Sequence, residues 1–361
     1  MTILLIRLRL IGDVVFTTPA IRALRDRYPD ARLLYLVESA AAPVVAHNPH
    51  LSRVITVPHT RGWTRLRDDL RLARQLRAEH CDLVIDFHGG PRSAWLAWAS
   101  GAPRRVGYDI AGRAWMYTDV VHRPRGLHPR HSVENQWDLL AAVDAAFAGG
   151  ADRTAHRVEM SAPPGALATV SARLARHGLG LDPGAPERLI VLHVSAGNPF
   201  RRWPEQAFAD VAAGLVRQSP DRRVLVTAGP SDHEAVRRVL AIARERAGAA
   251  AARIIDAGDL SLVDLRAVLD RSALYIGGDS GPLHIASTSD VPIVGLYGPT
   301  LAARSAPWRP PYVATASVDA GDLPCRPCDQ RACAPGDFRC LTSIEADTVL
   351  RAAERILEGA S

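Results

Sequence analysis

The chain reads as an α/β protein made of two open, parallel-stranded units in tandem. Short apolar runs alternate with amphipathic stretches along its whole length, which is the pattern of βα units around parallel sheets. That rhythm breaks once, between Ala151 and Glu187, where Ser161-Ala-Pro-Pro-Gly165 and Asp182-Pro-Gly-Ala-Pro186 bracket a helical stretch near Leu167–Gly178. With 361 residues and 47% hydrophobic content, two domains of ordinary size can each bury a core.

In the first half, strands are expected at Ile3–Leu8, Arg32–Val37, Arg53–Val57 and Leu83–Phe87, with helices at Val15–Tyr28, Trp63–Glu79 and Ser132–Phe147. The second half restarts with strands at Leu189–Val194, Arg223–Thr227, Arg253–Asp256, Leu274–Ile276 and Ile293–Leu296. Helices at Glu205–Arg217, Ser231–Arg246, Leu262–Arg271 and Leu283–Ser289 separate these strands, and a last helix covers Ile344–Glu358. Two such domains are expected to turn their strand ends, and so their ligand sites, toward one cleft.

No apolar run approaches the ~20 residues that span a bilayer, and the opening Met1-Thr-Ile-Leu-Leu-Ile-Arg7 lacks the design of a cleavable signal. A cytoplasmic location is expected. The formal charge is +6, and it is uneven: residues 1–160 hold 22 Arg against 16 acids, whereas 161–361 hold 22 of each. A basic first half suits a phosphorylated glycolipid, an acidic membrane surface or nucleic acid. Nucleic acid has no further support, because there is no zinc-finger spacing or aromatic-basic motif and the Arg residues are scattered. The chain has no Lys, so every cationic role falls to Arg or His. The cluster Cys325-x2-Cys328-x4-Cys333-x6-Cys340 fits a structural zinc or a redox-sensitive loop of free or variably oxidised thiols, and its spacing is not that of a regular zinc ribbon.

Four segments can carry chemistry. Tyr275-Ile-Gly-Gly-Asp-Ser-Gly-Pro-Leu-His-Ile-Ala-Ser287 reads as a buried strand ending in a glycine turn that opens a helix. Asp279 or Ser280 can cap, Pro282 suits the first turn, and N–H groups from Ser280 to Leu283 would point at one spot that favours a phosphate or diphosphate. A well-capped turn holding nothing has the same sequence. The stretch Arg9-Leu-Ile-Gly-Asp13 puts Gly12 and Asp13 at the end of the first strand, where Asp13 is either a reactive carboxylate or a helix cap. One glycine there, where a dinucleotide fingerprint needs three, removes the main support for hydride chemistry.

The third segment, His193-Val-Ser-Ala-Gly-Asn-Pro-Phe-Arg-Arg-Trp-Pro-Glu-Gln206, lets Ser195 and Gly197 approach a ligand closely while Arg201 and Arg202 clamp phosphate oxygens or simply face solvent. The fourth, Val224-Leu-Val-Thr-Ala-Gly-Pro-Ser-Asp-His-Glu234, offers acids to ribose hydroxyls or caps to a helix. In the first half, Asp86-Phe-His-Gly-Gly-Pro-Arg-Ser93 ends a strand, and His131, Glu134 and Asn135 share a helical face. His88, Arg92, His131 and Asn135 are expected near the cleft.

Taken together, Ile11-Gly-Asp-Val14, Arg201-Arg-Trp-Pro204, Gly278-Asp-Ser-Gly-Pro-Leu-His284 and Leu296-Tyr-Gly-Pro-Thr300 resemble the ADP-heptose:lipopolysaccharide heptosyltransferases of glycosyltransferase family nine, nearly end to end. The cysteine segment from Pro324 to Leu341 looks more like the enzymes that add a second or later heptose. The resemblance implies a GT-B fold of two Rossmann-like domains facing a central cleft: residues 1–165 for the acceptor, 166–343 for the nucleotide sugar, and a final helix, 344–361, crossing back to the N-terminal domain. It implies an inverting, metal-independent glycosyltransferase that needs no cofactor, moving heptose from ADP-heptose to the lipopolysaccharide inner core. Alternatives are a member of the family using another nucleotide sugar, or a non-catalytic nucleotide-sugar-binding protein.

By position, the family's catalytic aspartate falls on Asp13 and its cationic phosphate ligand on Arg201, where many members carry Lys. Its donor-binding Asp-(Ser/Thr)-Gly falls on Asp279, Ser280 and Gly281, and its ribose acid on Glu234. Ser195, Gly197, Arg202, Pro282, Leu283 and His284 would complete the donor site, and Gly12, His88, Arg92, His131 and Asn135 the acceptor site. The expected partners are a nucleotide-sugar donor, an anionic glycolipid acceptor and the cytoplasmic face of the inner membrane, with no nucleic acid.

Overall fold

The computed structural model describes residues 1–57, 62–122, 130–176, 178–180, 188–194, 198–229, 232–256, 258–328 and 330–359. It divides into two compact units, Met1–Ser161 and Ala162–Ser361. The first contains β1 (Thr2–Ile6), α1 (Ile11–Val15), α2 (Thr18–Arg27), β2 (Arg32–Glu38), β3 (Arg53–Val57), α3 (Gly62–Ala78), β4 (Leu83–Asp86), α4 (Pro91–Ala99), β5 (Arg104–Tyr108), β6 (Asp119–Val121) and α5 (Ser132–Val143). Its six strands are all parallel in the order β3-β2-β1-β4-β5-β6. Central β1 is Thr2-Ile-Leu-Leu-Ile6, an unbroken apolar run whose Ile3 to Ile6 are wholly buried, because helices cover both faces of a parallel sheet.

The second unit contains α6 (Ala166–Ala175), β7 (Arg188–His193), α7 (Glu205–Gln218), β8 (Arg222–Thr227), α8 (His233–Ala247), β9 (Ile254–Asp256), α9 (Leu262–Leu269), β10 (Leu274–Gly278), α10 (Gly281–Ala286), β11 (Ile293–Tyr297), α11 (Ala302–Ser305), β12 (Thr315–Asp319), α12 (Arg339–Thr342) and α13 (Ala346–Gly359). Its strands are again parallel, in the order β12-β11-β10-β7-β8-β9.

Both sheets start in the middle, grow to one edge, then return to the middle and grow to the other. The reversal leaves a crevice where consecutive connections depart to opposite faces, at the carboxyl ends of β1 and β4 in the first unit and of β7 and β10 in the second. These four strand ends run into the segments holding Asp13, His88, Arg201 and Asp279.

Among the described residues, three strands and three helices are additional to the sequence expectations, two of the helices being the four-residue α11 and α12. β5, β6 and β12 are short or polar (Arg-Arg-Val-Gly-Tyr, Asp-Val-Val, Thr-Ala-Ser-Val-Asp), and they lie toward the sheet margins, where burial on both faces is not required. α4 follows the His88 loop directly and begins at Pro91. The expected helix over Val15–Tyr28 is two helices, α1 and α2, the second with a proline in its first turn. Ser195, Gly197, Ser231 and the Asp182–Pro186 stretch lie outside the described residues.

The last helix, α13, packs on the second unit. Val349, Ala352, Ala353 and Leu357 join the core that includes Val211, Leu215 and Val294. Trp203 Nε1 donates to the Ile344 carbonyl at 3.0 Å, and Arg222 Nη2 reaches Glu354 at 2.7 Å.

Candidate functional site

The first unit gathers Arg7, Asp13 and His88 at its crevice. Leu10, left-handed with φ 69°, turns the chain into α1, and Asp13 falls in the first turn of that helix. Asp13 is not the cap: the N-cap is Leu10, and no side chain caps the helix. Its Oδ2 instead pairs with Arg7 Nη2, while Arg7 Nη1 donates to the Phe87 carbonyl at 2.6 Å. Arg7 therefore ties the loop after β1 to the loop after β4 and fixes the carboxylate, whose side chain remains 29% exposed.

The second loop is braced from below. Asp86, wholly buried, accepts from Tyr117 Oη at 2.6 Å and from the backbone N–H groups of His88 and Gly89 at 2.9 and 3.1 Å. Burial pushes the Asp86 pKa up against these hydrogen bonds. Gly89 sits at φ 64°, where a Cβ would lie 2.9 Å from Ile110, and a Cβ on Gly90 would lie 2.7 Å from the His88 ring, so Gly90 leaves the room that imidazole occupies. Burial, with help from Arg7 and Arg9, lowers the His88 pKa to about 4, so the ring is neutral near pH 7. Its buried Nδ1 has no hydrogen-bond partner among the described residues.

The other expected acceptor residues have different duties. Arg92 is almost buried, donates from Nε to Asp69 at 2.9 Å and lies 3.6 Å from Glu38. His131, 3% exposed, caps α5 by accepting from the Val133 N–H at 3.1 Å, and its ring meets Phe16 edge-on. Asn135 offers its backbone carbonyl to Tyr108 Oη at 3.0 Å. Gly12 lies in the first turn of α1, beside Asp13.

In the second unit, the loop after β7 and the turn after β10 meet through one ion pair. Arg201 Nη1 lies 3.1 Å from the Asp279 carbonyl and 3.2 Å from its Oδ2, and Arg201 Nε donates to Gln330 Oε1 at 2.8 Å. Asp279 is 2% exposed. It also accepts from Thr300 Oγ1 at 2.5 Å and lies 3.4 Å from His284 Nε2. Burial alone would raise its pKa, but His284, Arg201 and Thr300 outweigh burial and bring it to about 2. This carboxylate is engaged by three protein groups, so it anchors Arg201, Thr300 and His284 instead of presenting itself to an anion.

The turn itself differs from the expected cradle. Ser280 is the N-cap of α10, yet its side chain makes no capping bond, and its Oγ is buried without a hydrogen-bond partner among the described residues. The Leu283 N–H already donates to the Ser280 carbonyl at 3.1 Å, Pro282 has no N–H, and the Leu283 side chain is core. That leaves Ser280 Oγ with the Ser280 and Gly281 N–H groups as the donors for a ligand. Gly277 and Gly278 are strand residues here and do not form the turn: a Cβ on Gly277 would lie 2.6 Å from Tyr275 Oη, and one on Gly278 would lie 3.4 Å from the Arg201 carbonyl.

Arg202 turns the other way, to Asp232 at 2.9 Å, so the two arginines do not form one clamp. Glu234 is also outside the site, with its side chain 76% exposed and 2.9 Å from Arg238. The carboxyl ends of β8 and β9 instead border a cavity of about 270 Å³ whose walls include Val226, Val236, Arg237, Asp256 and Asp259. Asp256 Oδ1 accepts from the Gly258 N–H at 2.8 Å. Sequence reasoning missed Arg7, Thr300, Gln330 and these two aspartates. Thr300 closes the Leu296-Tyr-Gly-Pro-Thr300 motif, but nothing in the sequence says it reaches Asp279.

Among the described residues, no three His, Cys, Asp or Glu side chains are grouped to hold a metal. Cys325, Cys328, Cys333 and Cys340 are free and partly buried, and burial followed by the neighbouring thiols pushes Cys340 above its ordinary pKa. No helix among the described residues is long and apolar enough to cross a membrane.

The family model of glycosyltransferase family 9 (heptosyltransferase) matches residues 69–335. Lipopolysaccharide heptosyltransferase 3 of Escherichia coli is 25% identical over 359 residues, covering 97% of each chain. Among solved structures, a family 9 glycosyl transferase from Veillonella parvula DSM 2008 superposes with a TM-score of 0.83 at 24% identity, covering 99% of this chain and 97% of the other. The E. coli ADP-heptose lps heptosyltransferase II gives 0.77 at 20% identity, covering 100% and 99%. These likenesses run the length of the chain and show a shared GT-B fold.

Proposed function

The chain belongs to glycosyltransferase family 9, and from that premise we propose that it transfers heptose from ADP-heptose to a hydroxyl of the lipopolysaccharide inner core, with inversion at the anomeric carbon and without a metal. The observation that carries this reading is the Arg201–Asp279 pair at the crevice of the second sheet. It fixes a guanidinium beside a turn with two backbone donors and an unsatisfied serine hydroxyl. Such a set suits a diphosphate.

In this reading the second unit holds the donor. Arg201 Nη2, Ser280 Oγ and the Ser280 and Gly281 N–H groups take the diphosphate and the negative charge that grows on it as the glycosidic bond breaks. Each such donor is worth about 3–4 kcal/mol in a water-poor site. The cavity beside β8 and β9 takes the nucleoside, with Asp256 or Asp259 accepting from ribose hydroxyls and Val226 and Val236 against the base. Glu234 is replaced in that role by these two acids.

The first unit supplies the base. A sugar hydroxyl is a weak nucleophile near neutral pH, so Asp13 accepts its proton as the new bond forms. Arg7 holds Oδ2 and leaves Oδ1 for that proton. Neutral His88 is fit to exchange hydrogen bonds with acceptor hydroxyls and does not act as a fixed cation. The cysteine segment and the likeness to heptosyltransferase 3 support an acceptor that already carries heptose. Peripheral association with the cytoplasmic face of the inner membrane follows from a lipid-linked acceptor.

The test is a donor panel of ADP-heptose and other nucleotide sugars against heptose-truncated glycolipid, with product read by mass. A gain of one heptose mass with ADP-heptose alone is expected. Transfer of another sugar would redirect the donor assignment, and ADP binding with no product from any donor would favour a non-catalytic binding protein.

A further inference from the structure

Helix α3 is amphipathic twice over. Its inner face carries Leu72 and Leu76, both buried, and Asp69, which is paired with Arg92. Its outward face should be polar on a surface helix. Instead it carries Trp63, Leu66 and Leu70 at 87%, 51% and 45% exposure. Their three- and seven-residue offsets from Trp63 align them in one stripe along the helix.

Arg67, Arg71 and Arg74 lie along the same outward side at helical spacing. The helix as a whole holds five arginines and two aspartates. Asp69 is buried, and Asp68 is shared at 4.0 and 3.8 Å by Arg67 and Arg71, whose side chains are 63% and 65% exposed. Ion pairs that long and that exposed neutralise little of the positive charge. Helix α4, packed against α3, adds exposed Trp98, whose ring meets Trp115 edge-on at 6.0 Å.

We propose that the outward face of α3, with the Trp63, Leu66 and Leu70 stripe and its flanking arginines, docks the protein on an anionic lipid bilayer. The charge decides among occupants. A second copy would set one arginine-lined stripe against another, whereas a bilayer of acidic headgroups accepts arginines at the phosphates and the tryptophan and leucines at the acyl boundary. The choice of a lipid partner rests on the reading of a lipid-linked acceptor. The face itself is read from α3 alone.

The test is sedimentation of the full chain with vesicles of phosphatidylethanolamine and phosphatidylglycerol, against vesicles of phosphatidylcholine. The combined variant W63Q/L66Q/L70Q removes the stripe and keeps every charge. R67Q/R71Q/R74Q does the reverse. All six positions are exposed, so both variants should fold, which circular dichroism checks. The wild type is expected to sediment with anionic vesicles and to release as salt rises. Either variant should lose at least tenfold in partitioning, while transfer to a lipid-free acceptor fragment stays unchanged. Wild-type protein that ignores anionic vesicles, or a stripe variant that sediments as well as wild type, overturns the proposal. So does a concentration-dependent dimer that the stripe variant abolishes while vesicle binding persists. Because vesicle binding involves no sugar, its failure would leave the transferase reading standing.

Discussion

Replacing Asp13 with Asn tests the chemistry while sparing the shape. The amide is nearly isosteric and can still accept from Arg7, so the link between the β1 and β4 loops survives. What disappears is the proton acceptor. A positioned general base contributes about 10²- to 10⁴-fold, or roughly 3–5 kcal/mol of barrier at ~1.36 kcal/mol per decade. The stability change should be far smaller, because the Arg7 and Asp13 side chains are 16% and 29% exposed and ion pairs in that setting are worth about 1 kcal/mol or less. Turnover is followed as ADP release with the glycolipid product weighed by mass, alongside ADP affinity by calorimetry and unfolding by heat. The expected result is a fall in kcat of two to four decades with ADP affinity and melting temperature close to wild type. A variant within about tenfold of wild-type kcat would refute the base assignment. A large loss of stability would instead make the Arg7–Asp13 link structural.

Arg201→Ala should lower kcat by about 10²- to 10³-fold with little change in acceptor KM, and Arg201→Lys should recover part of the loss. An unchanged kcat in the alanine variant removes Arg201 from the leaving-group site. Thr300→Val deletes a hydrogen bond to a buried carboxylate and should cost about 1.5–3 kcal/mol in chemical denaturation; an unaltered midpoint would show that His284 and Arg201 suffice for Asp279. Gly277→Ala sets a methyl 2.6 Å from Tyr275 Oη and should destabilise the second unit by about 1–3 kcal/mol, so a neutral result would mean that the tyrosine ring has room to yield. His193 is 3% exposed, hydrogen-bonded to Thr227, and lowered by burial from 6.5 to about 4. Because the unfolded chain binds that proton first, stability should fall as pH drops from 6.5 toward 4, by about 3 kcal/mol for this group, and His193→Gln should flatten that part of the denaturation profile.

The parallel sheets were legible because a strand buried on both faces leaves an unbroken apolar run, and Thr2–Ile6, Leu83–Asp86 and Ile293–Tyr297 each show one. β12 was not legible: as an edge strand it reads Thr-Ala-Ser-Val-Asp and answers to a single neighbour, β11. Within the site, Asp13, Arg201 and Asp279 could be chosen from their places after strands. Their partners could not. Arg7 to Asp13, Tyr117 to Asp86, and Gln330 to Arg201 are contacts across 6, 31 and 129 residues; only Gln330 lies in a segment singled out from the sequence, and there the cysteines, not the glutamine, drew notice.

The amino-acid sequence alone determined the fold class, the alternation of strand and helix, the family and the strand ends at which the candidate residues sit, because each is written in local periodicity or in short glycine-bearing motifs. The tertiary structure decided the strand order, and with it which two loops share each crevice. It also decided which charges remain available: Arg92 and Arg202 are paired with Asp69 and Asp232, and Asp279 is an anchor for Arg201. A side chain's role depends on what packs against it, and that is fixed only when segments far apart in the chain are brought together.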